Sequence, residues 1–286
     1  VPELPEIHAL VADLSARLIG RIVKRIDLVS FAALKTFDPP ASSLSGHVIT
    51  SIERHGKFLD LRVGDVHLVL HLARAGWIRW RDNEPEPRTR PSSGALTARL
   101  VLDDGSGFDV TEAGSKKSVA IWIVRSPEEI PQIVRLGPDP LDATFTLETF
   151  RAILASAGRT QIKGVLRDQS LIAGIGNAYS DEILHAAHMS PYKPSSMTDD
   201  EASELYDAMR ETLQGAIDRS EGVGASNLKR EKKTAMRVHG RAGELCPVCG
   251  DTVRQVIFAD RTLEYCPSCQ TGGKLLADRV LSRLLK

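Results

Sequence analysis

Four cysteines set the strongest constraint on how this chain can fold: Cys246-x2-Cys249 and Cys266-x2-Cys269, two knuckles separated by sixteen residues. Each knuckle puts two thiolates on one tight turn, and two facing turns make the tetrahedral sulfur shell that zinc accepts. Gly250 supplies the turn residue after the first knuckle, and Pro267 stiffens the second. Two disulfides are the competing use of the same residues. No secretory signal heads the chain and no other cysteine is present, so reduced, metal-binding thiols are expected. Four protein ligands close the site, which points to a structural Zn2+, one per chain.

At 286 residues the chain can bury more than one core, and two domains plus the ribbon are expected. Its longest apolar stretch, residues 66–73, is interrupted by His67 and His71 and is far short of a membrane span. A cytoplasmic protein with no membrane partner follows as the expectation. A formal net charge of zero argues against nucleic acid, but its distribution argues the other way. Residues 226–286 hold twelve Lys or Arg against six Asp or Glu, densest at Lys229-Arg230-Glu231-Lys232-Lys233. Beside a ribbon, such a run is either a phosphate-binding surface or a solvated loop.

Periodicity divides the chain into blocks. Ile7, Leu10, Val11, Leu14 and Leu18 have helical spacing and end at Gly20. Residues 21–125 read mainly as short strands (22–28, 48–53, 58–63, 67–71, 77–80, 98–102, 107–111 and 118–124), whose spacing predicts antiparallel pairing in a sandwich or barrel. Residues 82–94, rich in Pro, Glu and Arg, are expected in an exposed loop, and residues 136–141 form a breaker cluster suited to a hinge. Residues 147–220 return to helical spacing, with capping boxes at Thr146–Thr149 and Thr198–Glu201.

Two short segments have chemistry of their own. Gly174-Ile175-Gly176-Asn177 predicts a tight turn with Asn177 at a helix start, where free amides make an anion site; a plain helix–helix turn is the commoner meaning. The chain opens Val1-Pro2-Glu3-Leu4-Pro5-Glu6. A valine-type start codon read literally accounts for Val1, and its removal would leave Pro2 with a free secondary amine. Such an amine can form an iminium with a sugar aldehyde carbon, Glu3 supplying a carboxyl for proton transfer. A stiff Pro-x-x-Pro arm is the alternative.

Pro2-Glu3-Leu4-Pro5-Glu6, His55-Gly56-Lys57, Leu136-Gly137-Pro138, Ile162-Lys163, Gly174–Tyr179 and the ribbon occur in order across almost the whole chain. In that combination the sequence resembles the formamidopyrimidine-DNA glycosylase and endonuclease VIII family of base-excision repair enzymes. The resemblance implies an α+β multidomain protein: an antiparallel β-sandwich with an N-terminal helix (1–135), a helix-two-turn-helix domain (136–225), and a basic loop with zinc ribbon (226–286). It implies a nucleoid-associated monomer acting on damaged double-stranded DNA, with abasic or single-stranded DNA as further substrates. Pro2 is then the nucleophile at C1′, Glu3 the acid at the sugar ring oxygen, and Glu6 a helper or structural carboxylate. Lys57 holds phosphates around the lesion, Lys163 and Asn177 contact phosphate from the middle domain, and Arg261 clamps phosphates from the ribbon tip. β- and δ-elimination would follow from the same iminium. A catalytically inactive damage-binding relative with this scaffold is the alternative.

Two segments depart from the family pattern. Arg74 stands where a methionine normally fills the hole left by the flipped base, and residues 111–119 lack the usual Arg pair and Phe. Altered reading of the opposite base is expected. The stretch 222–240 is short, basic and without aromatics, which tilts the resemblance toward the endonuclease VIII-like branch and oxidised pyrimidines.

Overall fold

A computed structural model describes residues 1–84, 95–258 and 261–277, the side chains of Phe258 and Arg261 excepted. Part of the expected 82–94 loop therefore lies outside the described residues. The chain forms two compact units. The first is Val1–Arg135 with Arg219–Glu231; the second is Leu136–Asp218 with the described residues from Lys232 onward.

In the first unit, α1 (Leu4–Leu18) is followed by β1 (Val23–Leu28), β2 (Ile49–His55), β3 (Phe58–Val63), β4 (Val66–His71), β5 (Gly76–Arg81), β6 (Leu96–Leu102), β7 (Gly107–Glu112), β8 (Ala120–Val124) and a short α2 (Pro131–Val134). They make two four-stranded sheets, ordered β1-β6-β7-β5 and β2-β3-β4-β8, with every neighbouring pair antiparallel. Alternation decides the faces. Leu59 and Leu61 of β3, Leu68 and Leu70 of β4, and Leu100, Phe108 and Val110 of the other sheet join one core with Leu10, Leu14 and Leu18 of α1. Each strand expected in this block is present, within two residues at either end.

The chain comes back to this core after the helical block. Ala225 and Leu228 are buried in it, the Ala225 amide donates to Asp13 at 3.0 Å, and the Trp80 amide donates to Ser226 Oγ at 3.2 Å. Arg17 stacks on the Trp80 ring beside this junction, 4.8 Å from its centroid.

The second unit holds α3 (Leu147–Ala157), α4 (Ile162–Arg167), α5 (Asn177–Ala186) and most of α6 (Asp199–Ser220). α7 (Leu228–Ala235), which starts in the first unit, leads to the ribbon strands β9 (Arg254–Phe258) and β10 (Arg261–Tyr265) and to α8 (Pro267–Thr271). Phe150, Leu166, Ile175, Tyr179, Ile183, Leu205 and Met209 form its own core. The caps expected from sequence are made: Thr146 Oγ1 accepts the Thr149 amide at 3.2 Å, and Thr198 and Glu201 bond each other's amides reciprocally. The basic run 229–233 lies within α7, and Lys232 packs over the Tyr179 ring at 4.5 Å. No helix among the described residues is long and apolar enough to cross a membrane.

Candidate active site and metal centre

The N-terminal residues are held tightly. Val1 is half exposed, whereas Pro2 is buried and both Glu3 and Glu6 are fully buried. Glu3 caps α1, and its amide donates to Glu6 Oε2 at 2.7 Å. Pro5 falls in the first helical turn, where its missing N–H costs nothing. Two fully buried carboxyl side chains thus follow buried Pro2 within the first helical turn. Glu6 acts here as the cap that fixes Glu3.

Lys57 occupies the two-residue turn between β2 and β3, where Gly56 takes φ of +55°. His71, paired with Phe58 across β3 and β4, is pushed down to about 4 by burial and by the Lys57 charge. It is therefore neutral at physiological pH and leaves Lys57 as the cation of that pair. Asp60, almost fully buried in β3, accepts from His55 Nε2 at 3.1 Å and from His67 Nδ1 at 2.9 Å. The hydrogen bond to Asp60 raises the His55 imidazole above its ordinary range, against the effect of burial. One carboxylate thus ties β2, β3 and β4 together next to the Lys57 turn.

Arg74 is exposed on the turn between β4 and β5, next to Ala73 with φ of +49°. Gly76 closes this turn because a Cβ there would lie 2.3 Å from the Leu72 carbonyl oxygen. The second departing segment sits alongside: the Ala113 amide donates to the Ala75 carbonyl at 3.4 Å. Buried Glu112 shapes that segment by accepting the Ser118 amide at 2.6 Å and the Val119 amide at 3.2 Å, while Lys116 and Lys117 are exposed. The two loops with unfamiliar residues are thus neighbours.

In the second unit α5 starts at Asn177, as its sequence predicts. Asn177 Nδ2 donates to the Thr262 carbonyl on β10 at 2.9 Å, and its buried Oδ1 has no partner among the described residues. Lys163 does not take the position expected of a phosphate ligand. It is 6% exposed, and its ammonium donates to Asp181 Oδ1 at 2.6 Å, Ser180 Oγ at 2.7 Å and the Asn177 carbonyl at 3.2 Å. Its charge is spent on internal oxygens.

Asp181 also receives His239 Nδ1 at 2.8 Å, and Glu264 of β10 lies 2.9 Å from the same nitrogen. Burial opposes protonation of His239, but the hydrogen bonds it donates to Asp181 and then Glu264 outweigh it and lift the imidazole to about 9. Glu182 accepts the amides of Arg237, Val238 and His239 at 2.8 to 2.9 Å. Asp181, His239 and Glu264 could in principle surround a cation, but the Lys163 ammonium already neutralises the shared carboxylate. Nothing in the local sequence announces this cluster, whose members are drawn from α4, α5, the segment before the ribbon, and β10.

All four cysteines are free thiols whose sulfurs lie within 4.8 Å of one another, with Cys249–Cys266 at 3.3 Å and Cys246–Cys269 at 3.9 Å. Tetrahedral zinc with 2.3 Å bonds to sulfur needs sulfur–sulfur separations of roughly 3.8 Å, so the donor set fits that ion. Burial pushes the Cys266 thiol up to about 11 and raises Cys269 as well, a cost that a bound cation reverses. Arg261 opens β10 opposite Phe258; its side chain lies outside the described residues.

Three family models match the chain: the formamidopyrimidine-DNA glycosylase N-terminal domain over residues 1–113, the formamidopyrimidine-DNA glycosylase H2TH domain over 136–227, and the zinc finger found in FPG and IleRS over 243–272. The formamidopyrimidine-DNA glycosylase of Heliobacterium modesticaldum is 34% identical, covering 94% of this chain and all of the relative. A formamidopyrimidine-DNA glycosylase-like protein of Mycobacterium tuberculosis is 53% identical over 157 residues, which is 54% of this chain and 98% of that protein. The Lactococcus lactis enzyme solved with DNA containing an abasic site superposes with a TM-score of 0.79 at 28% identity, covering 94% of this chain and 99% of that one. The four cysteines are accordingly a zinc-ribbon site.

Proposed function

The chain belongs to the formamidopyrimidine-DNA glycosylase family of base-excision repair, and on that premise we propose that it excises damaged bases from double-stranded DNA and cleaves the abasic strand. A base inside a duplex is out of reach, so the nucleotide is turned out at a cost of about a few kcal/mol. With the bond to Val1 cleaved, the Pro2 nitrogen attacks C1′, the bond from C1′ to the base breaks, and the base leaves with a proton. Glu3 protonates the ring oxygen as the sugar opens. The iminium joining Pro2 to C1′ acidifies the C2′ proton; its loss expels the 3′ phosphate, and a second elimination expels the 5′ phosphate.

Lys57, Arg74 and Arg261 are assigned to the DNA backbone and the vacated base position, and Asn177 to phosphate at the start of α5. Lys163 serves the same phosphate from behind, by holding the Asn177 carbonyl. Zinc held by Cys246, Cys249, Cys266 and Cys269 supplies a structural cross-link for the ribbon. The aromatic-free stretch 222–240 favours oxidised pyrimidines or abasic sites over a capped purine.

The fully buried pair Glu3 and Glu6, joined by a hydrogen bond and following Pro2 in the chain, carries this reading, since binding alone needs no such pair. Borohydride reduction tests it. A chain whose N-terminus is Pro2 by mass should form a covalent adduct with abasic-site DNA, and a chain retaining Val1 should form none. A Pro2-terminated chain that neither traps nor cuts such DNA would leave the second reading, a catalytically inactive damage-binding protein with the same scaffold.

A further inference from the structure

α5 presents one polar face to the ribbon segment, and its contacts run the length of the helix. Asn177 reaches Thr262, four residues later Asp181 reaches His239, and four residues later again His185 reaches Cys246. The spacing 177, 181, 185 puts these side chains in one row on an α-helix. Glu182, beside that row, caps the amides of residues 237–239. The row begins at the helix start assigned to phosphate and ends at a zinc thiolate.

We propose that His185 is an outer-shell partner of the zinc centre, its Nε2–H donating a hydrogen bond to the Cys246 thiolate. The two atoms are 3.3 Å apart, and His185 and Cys246 are 1% and 2% exposed. The other ring nitrogen, Nδ1, is buried without a partner among the described residues. A proton at Nδ1 would be an orphaned buried donor, so the ring carries its proton on Nε2, facing sulfur. The acceptor is suited to it. Four thiolates around one Zn2+ leave two negative charges in a site where Cys246 and Cys266 are buried, and an N–H aimed at sulfur withdraws part of that charge.

His185 therefore strengthens zinc retention and makes the ion the far anchor of the helix that carries Asn177. Cys246 is the ligand affected; its carbonyl accepts the Gly250 amide at 2.9 Å, so the knuckle turn is fixed on the same residue.

The test uses the full chain with zinc or cobalt alone, and no DNA, so its outcome is independent of the glycosylase reading. Zinc affinity is measured by competition with a chromophoric chelator for the parent, His185→Phe and His185→Gln. Phe keeps the ring volume without a donor; Gln keeps a donor. The Phe variant should bind zinc about 10- to 100-fold more weakly, and the Gln variant should recover most of the loss. In the cobalt(II)-loaded proteins the sulfur-to-metal charge-transfer band should move to lower energy in the Phe variant and back in Gln. Parent-like affinity and an unmoved band in His185→Phe would overturn the proposal. So would equal weakening in both variants, which would mark the ring as packing alone.

Discussion

Lys163 buries its ammonium 2.6 Å from the Asp181 carboxylate, with 7% of one side chain and none of the other exposed to solvent. Breaking such a pair from one side leaves an uncompensated buried charge, which costs about 3–5 kcal/mol. Lys163→Met should lose about that much in urea unfolding, and the double variant with Asp181→Asn should lose less than the two single losses added. DNA affinity should keep its salt slope in Lys163→Met, whereas Arg261→Ala should lower it by about one ion. A slope that drops in Lys163→Met would mean that its ammonium reaches phosphate after all.

His239 gives the second unit a pH signature. Its imidazole is lifted to about 9 in the folded chain, above the unfolded value near 6.5. A raised folded value means that the stabilisation is complete below the unfolded pKa and disappears as pH rises through about 9. Its partners are Asp181, already shared with Lys163, and Glu264, whose carboxyl is depressed overall despite its burial by the hydrogen bond from His239. Unfolding of the zinc-loaded protein followed from pH 6 to pH 10 should show a loss on the order of 1–3 kcal/mol centred between those values. His239→Asn should flatten that profile, and an unflattened one would assign the pH dependence to other groups.

Asp60 is expected to set the titration of His55. In Asp60→Asn the carboxylate that raises His55 is gone, so its imidazole should titrate lower than in the parent by NMR. Stability should fall by about 1–3 kcal/mol, because two histidines lose a charged acceptor. An unchanged His55 titration would show that burial, not Asp60, governs the ring.

Arg74 stands beside the 113–118 segment on the neighbouring loop. Arg74→Met should alter discrimination between bases opposite the lesion several-fold while changing cleavage of an abasic site less, since no damaged base must be expelled there. Equal losses on both substrates, measured in single turnover, would make Arg74 a general DNA contact.

Zinc removal should unfold the ribbon and little else. Elemental analysis is expected to give one zinc per chain, and Cys249→Ser should lose it along with DNA binding, while the first unit's core keeps its near-ultraviolet signal from Trp77 and Trp80. Wild-type DNA binding by metal-free protein would contradict a structural role for the ion.

Local patterns were the legible part of this protein. The period-2 runs of β3 and β4, the Thr caps of α3 and α6, the helix start at Asn177 and the cysteine spacing all declare themselves within a few residues. The ionic cluster was not legible, because Asp181 meets a histidine 58 residues away and Lys163 meets Asp181 across two helices. Lys163 looked like a phosphate ligand because an exposed lysine and a committed one read alike in sequence. Asp60 left a faint trace as a carboxylate inside Phe58-Leu59-Asp60-Leu61, an apolar strand. Ala225 and Leu228 left almost none, being isolated small or apolar residues among polar ones. The basic run became a helix because Leu228 and Met236 each join an apolar core and the Lys232 ammonium lies over the Tyr179 ring.

The fold-back of residues 219–231 has a bearing on how such a protein can be inherited or recombined. Ala225 and Leu228 complete a core whose other buried members, among the described residues, all precede residue 124. A gene exchange with one breakpoint near residue 135 would pair a foreign α1 and sandwich with a resident Leu228, and fit would depend on a socket neither parent selected together. A sandwich secreted or expressed alone would show its gap to solvent, at a cost of about 2–5 kcal/mol for the missing leucine alone. Descent should therefore carry the first 135 residues and this thirteen-residue return as one linked block, separated along the gene yet exchanged only together.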